Sequence, residues 1–219
     1  EWVRILVDER GLSRIAVFYQ DDSFGRAGRS GLIRALQKRN LSPVGEGTYI
    51  RNTKAVKAAL LDIRRSKPEA VVLVAAAKPL ARFVDTARSL DFQPQLIAIS
   101  FGADAMAKEL GADGAGILMT QVVPLPEGDD LPVIVQFRAA LASALPKEQP
   151  TLVNLEGYLV GLLAVRALQD AGAELTQTGY LDALRALRKV ELGGLDLNFS
   201  ETDNQGLDRV FLTRIDTSG

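Results

Sequence analysis

Ile15-Ala16-Val17-Phe18-Tyr19-Gln20-Asp21-Asp22-Ser23-Phe24-Gly25 is the stretch that decides the fold. Its first five residues are apolar on both faces and too few for a helix, as a buried parallel strand requires. A polar turn follows, with Asp22 placed to cap the helix that opens after it. The same strand-type signal returns at Val44 to Tyr49, Ala70 to Val74, Leu96 to Ile99 and Gly116 to Thr120.

Segments of helical period separate these runs. Leu32, Ile33 and Leu36 line one face, as do Val56, Ala59, Leu60 and Ile63, and then Leu80, Phe83, Val84 and Ala87. Thr53 is the expected N-cap of the second segment and Pro79 the expected first residue of the third. Residues 1 to 10 are expected to form a preceding helix stopped by Gly11. Strict alternation of strand and helix through residue 122 specifies an α/β fold, a doubly wound parallel sheet with right-handed crossovers.

Beyond Val123-Pro124-Leu125-Pro126 the pattern changes. Three helical segments follow at about 131–144, 152–172 and 177–189. The middle one is apolar nearly all round and expects cover on most sides. Strand-like pieces at Leu195 to Phe199 and Val210 to Ile215 close the chain, joined by the polar turn Glu201 to Gly206. This half lacks a sheet of its own, so its helices either pack on the first sheet or miss a partner.

Composition narrows the chemistry. The 219 residues include no cysteine and no histidine, which excludes thiolate metal sites, disulfides and any Ser-His-Asp or Cys-His mechanism. Lys and Arg number 26 against 27 Asp and Glu, a net charge of −1 with no basic field to attract nucleic acid. No apolar run is expected to reach the ~20 residues that span a bilayer. The chain opens at Glu1-Trp2 without a signal-peptide pattern.

In an open α/β sheet, ligands bind beyond the carboxyl ends of the strands. The loops there carry Gln20 to Gly25, Ala75 to Lys78, Ser100-Phe101-Gly102 and Gln121. Phe24 and Phe101 offer an aromatic floor, and Ala76, Ala77 and Gly102 leave room for a small molecule. Gly25, Gly28 and Gly31 have the wrong spacing for a dinucleotide loop, no Lys-Ser/Thr pair follows them, and Asp21 and Asp22 would repel a phosphate. Close helix–sheet packing is the simpler account of these glycines. The acidic pair also resembles that of a phospho-acceptor domain, but Ala75-Ala76 and Gln121 stand where a carboxylate and a lysine would be needed. No third acid is placed for a metal.

The run Val17 to Gly25 resembles the opening of the second lobe of type I periplasmic binding proteins, the leucine/isoleucine/valine-binding branch of ABC-transporter receptors above all. Pro68 to Leu73, Gly114 to Ile117 with Thr120 and Pro124, Leu155-Glu156-Gly157-Tyr158, Gly193-Gly194 with Phe199, and Val210 to Leu212 extend the resemblance along the chain. It implies one complete and one partial lobe: residues 1–122 and 209–219 form the ligand-binding second lobe, and 123–208 a mostly helical part of the first. A missing N-terminal segment of the same protein would supply the rest. It further implies a non-enzymatic, extracytoplasmic receptor that closes on a small-molecule ligand and delivers it to a membrane permease. The same fold also serves as the sensor domain of signalling receptors. No cofactor is implied. The expected ligand contacts are Asp22, Ser23, Phe24, Ala76, Ala77, Ser100, Phe101, Gly102, Gln121 and Tyr158. Ala77 and Ser100-Phe101-Gly102 replace the tyrosine and the acid of amino-acid binders, which points towards an organic or aromatic acid as much as an amino-acid-like ligand.

Overall fold

A computed structural model describes residues 1–100, 103–128, 130–173 and 175–217. In chain order the main elements are β1 (Ile15–Gln20), α1 (Ser23–Gln37), β2 (Gly45–Tyr49), α2 (Lys57–Arg65), β3 (Ala70–Val74), α3 (Ala77–Ser89), β4 (Gln95–Ile99), α4 (Ala103–Leu110) and β5 (Leu118–Gln121). After them come α5 (Pro132–Ala144), α6 (Leu152–Ala171), α7 (Gln177–Ala186), β6 (Lys189–Glu191), β7 (Asp196–Asn198) and β8 (Phe211–Arg214). The chain divides into two compact units, Glu1–Gln121 with Leu212–Gly219, and Val122–Phe211.

The large sheet has the order β2-β1-β3-β4-β5-β8, and β1 to β5 run parallel. Side chains alternate across it, as the pleat dictates. Ile15 and Val17 of β1 and Ala70, Val72 and Val74 of β3 face Leu32 and Leu36 of α1 and Ile5 and Leu6 of the first helix. On the opposite face Phe18 stacks on Tyr49 at 5.3 Å and meets Phe83 of α3 at 4.6 Å. Helices therefore cover both faces, which makes the sheet doubly wound.

Several local readings change. The opening helix exists, but Arg4–Glu9 is wound as a π-helix, and Gly11 beyond it has φ +70°. Thr53 does not cap α2. Its hydroxyl donates to Ile50 O at 2.7 Å, and the helix begins four residues later behind Val56. Pro79 is the third residue of α3 rather than the first; any first-turn position spares the missing N–H. The third helical segment stops at Ala186, because Lys189–Glu191 leaves it to pair antiparallel with Asp196–Asn198. The two closing strands thus belong to different sheets: β7 joins β6 and β8 joins the large sheet.

Within the second unit, Val133, Ile134, Phe137 and Leu141 of α5 pack with Leu155 and Leu159 of α6 and with Leu195. Thr151 and Thr176 cap α6 and α7 through their hydroxyls. The cover expected on most sides of α6 is not found among the described residues: Val153, Val160, Val165 and Leu168 are exposed. The membrane expectation also needs correction. Leu152–Ala171 has 20 residues and mean hydropathy 1.2, long and apolar enough to cross a bilayer by length and composition. Leucines, valines and alanines outweigh its few charges when averaged over the whole helix, and two of those, Arg166 and Asp170, form an i,i+4 ion pair.

Candidate functional site

Strand order creates the site. From β1 the chain turns through α1 to β2 on one side, and from β3 it turns through α3 to β4 on the other. The carboxyl ends of these adjacent strands therefore part, leaving the crevice in which open α/β sheets hold ligands. A cavity of about 550 Å³ lies there, lined by Gln20, Asp22, Ser23 and Phe24 at the end of β1, Arg51 to Lys54 after β2, and Ala76 to Pro79 around the start of α3.

The floor is held by one hydrogen-bonded chain. The buried Tyr49 hydroxyl donates to Gln20 Oε1 at 2.8 Å and accepts from the Ala76 N–H at 3.0 Å. Gln20 Nε2 donates to Asp22 Oδ2 at 2.5 Å, and Asp22 Oδ1 accepts from the Gly25 N–H at 3.2 Å. The ends of β1 and β2 and the start of α3 are thereby tied together, with both Asp22 oxygens engaged. Burial pushes the Tyr49 hydroxyl above its ordinary pKa, the nearby Asp22 charge adds to this, and the bond from Ala76 opposes it. For Asp22, desolvation acts upward, but the bonds from Gly25, Gln20 and Phe24 and the charge of Arg51 outweigh it and hold the carboxyl below its usual range.

Two glycines let α1 begin where it does. A Cβ on Gly25 would stand 1.9 Å from the Gln20 carbonyl oxygen, and one on Gly28 would stand 2.6 Å from Val74 Cγ1. Gly31 has open space around it, so the close-packing account holds for the first two and not for the third.

Of the residues singled out from the sequence, Asp22, Ser23, Phe24, Ala76 and Ala77 line this cavity together. Phe24 is half-buried and also packs on the core below. Ser100 is half-buried directly after β4 and is not part of the lining. Gln121 is buried, its amide donating to Thr213 Oγ1 at 3.0 Å, a tie between β5 and β8. Phe101 and Gly102 lie outside the described residues. Tyr158 sits on α6 in the second unit, its ring 5.6 Å from that of Phe137.

Sequence reasoning put Gln20 and Lys78 in the loops at the mouth without singling them out as hub and wall, and missed Arg51, Asn52, Thr53 and Lys54 as walls. The loop after β2 was read only as the approach to a helix. Its signal was available: a strand parallel to the others ends on the same side of the sheet. Asn52 adopts φ +64°, a left-handed turn that asparagine tolerates and that folds the loop back on itself.

A second cavity, of about 480 Å³, is lined by Arg88, Gln95, Gly116 and their neighbours at the amino ends of β4 and β5. No strand carboxyl ends converge there, so the switch-point cavity is the stronger candidate.

Known proteins place the fold in context. A structure of a possible leucine/isoleucine/valine-binding protein from Rhodopirellula baltica SH 1 matches with TM-score 0.92 and 32% identity, over 97% of this chain and 60% of that one. A substrate-binding periplasmic protein from Ralstonia solanacearum matches with TM-score 0.88 and 27% identity, over 97% and 62%. A fatty acid ABC transporter substrate-binding protein from Thermomonospora curvata shares the fold at TM-score 0.82 and 20% identity, over 96% and 56%. The chain thus spans about three fifths of the length of the structures it matches. No curated protein is significantly similar to it. The sequence profile described as "Periplasmic binding protein" matches residues 1–219, and the chain belongs to that family.

Proposed function

We propose that this chain carries part of an extracytoplasmic solute-binding receptor that serves an ABC transporter, non-catalytic and specific for a small amino-acid-like or organic acid. The observation that carries this reading is the cavity at the β1/β3 switch point, with a pre-formed polar floor and an apolar side made by Phe24, Ala76, Ala77 and Pro79. Such a mixture of apolar wall and few fixed polar groups suits a small ligand. Membership of the periplasmic binding protein family and the likeness to the Rhodopirellula baltica and Ralstonia solanacearum proteins support the receptor role, the extracytoplasmic location and a membrane permease as partner.

A ligand that binds only the folded state raises its melting temperature by mass action. The complete gene product is expected to gain stability with one chemical class from a panel of amino acids, organic acids and amides. A flat thermal-shift response across the whole panel would overturn the receptor reading.

A further inference from the structure

We propose that the switch-point cavity holds the anionic end of its solute, with Arg51, Lys54 and Lys78 supplying the attraction. This rests on the receptor reading above and narrows its ligand to an organic anion without an ammonium group.

The cavity wall carries three cations and one acid. The acid, Asp22, is committed: its two oxygens accept from Gly25 and Gln20 as the cap of α1. Of the cations, only Arg51 acts on Asp22, through its charge. Among the described residues no ion pair involves Arg51, Lys54 or Lys78, whereas Arg26, Arg29 and Arg88 of the same unit pair with Asp21, Glu46 and Asp113. Lys78 is also poorly placed for stability. It stands in the first turn of α3, where the helix dipole disfavours a cation, and that turn holds no acid to offset it. A concave wall on which cations outnumber acids concentrates a positive field on whatever enters. An ammonium would meet three cations and no available carboxylate there. A carboxylate would meet complementary charge, and its apolar body could rest on Phe24, Ala76 and Pro79.

The test uses the complete gene product and matched probes that differ in charge but hardly in shape: benzoate against benzamide, hexanoate against hexanamide, and leucine as the zwitterion. Calorimetric titration is expected to show binding of an acid and at least tenfold weaker binding of its amide. Charge-assisted hydrogen bonds of ordinary strength imply that Arg51→Gln, Lys54→Gln and Lys78→Gln combined weaken the acid about ten- to hundredfold, with the amide unaffected. All three side chains are exposed, so these changes leave the core intact, and circular dichroism verifies it. An amide or leucine that binds as well as the acid, or an acid whose affinity ignores the triple substitution, overturns the charge assignment and leaves the receptor reading standing. Absence of binding by every probe, acid, amide and zwitterion alike, overturns both.

Discussion

Gly25→Ala and Gly31→Ala make the same chemical change six residues apart on α1, and the structure assigns them opposite signs. At Gly25 the new Cβ would lie 1.9 Å from the Gln20 carbonyl oxygen, more than 1 Å inside the 3.0 Å limit that real Cβ atoms respect. The obstacle is backbone in a buried strand, so the start of the helix must move instead. That displacement pulls the Gly25 N–H from Asp22 and disturbs the cap. Overpacking costs about 1–3 kcal/mol and loss of a cap about 1 kcal/mol, while alanine recovers about 0.5–1 kcal/mol of helix propensity. The net expectation is a loss of about 1–3.5 kcal/mol. At Gly31 nothing lies within 4 Å of the added methyl, so only the propensity gain of about 0.5–1 kcal/mol remains. For a protein of this size that spread, about 1.5–4.5 kcal/mol, corresponds to melting temperatures about 3–18 °C apart. Differential scanning calorimetry of the two variants beside the parent measures it. A Gly25→Ala variant that melts with or above the parent, or a Gly31→Ala variant that loses as much, would refute the close-approach reasoning.

Two further predictions concern the floor of the cavity. Tyr49→Phe removes the hydroxyl between Gln20 and Ala76 and strands the buried Gln20 amide oxygen and the half-buried Ala76 N–H, so urea unfolding should reveal a loss of about 1–3 kcal/mol, and an unchanged midpoint would show that the bridge is idle. Asp22→Asn tests the lowered carboxyl pKa. A group whose pKa is depressed by folding stabilises the protein above its unfolded pKa of about 3.9, and that stability disappears as the pH falls through the folded value. The advantage of the parent over Asp22→Asn should therefore be full at pH 5 to 7 and shrink as the medium is acidified below about pH 4. Urea midpoints at pH 7, 5 and 3 read it, and a gap that widens on acidification would contradict the assignment.

The strands and most helices were legible because their signals are local. Ile15 to Tyr19 and Ala70 to Val74 are apolar on both faces, and the α1 residues Leu32 and Leu36 recur at helical spacing, whatever their partners are. Ends of elements were less legible. Thr53 has the chemistry of a cap, yet its hydroxyl turns back to Ile50 once the loop folds through Asn52. The strand Lys189–Glu191 carries a single buried residue, Val190, too weak a pattern to separate from the end of a helix.

From the sequence alone came the alternation of strand and helix through residue 122, the α/β class, the exclusion of histidine and cysteine chemistry, and the capping role of Asp22. These depend on neighbours within a few residues and on composition. Only the tertiary structure decided that β2 lies beside β1 on the far side from β3, which brings Arg51 and Lys54 to the wall that Phe24 and Ala76 already occupied. It also decided that Tyr49, Gln20 and Ala76 share one hydroxyl, and that Gln121 faces Thr213. Such meetings join residues dozens of positions apart, where no periodicity reaches and only strand pairing chooses the neighbour.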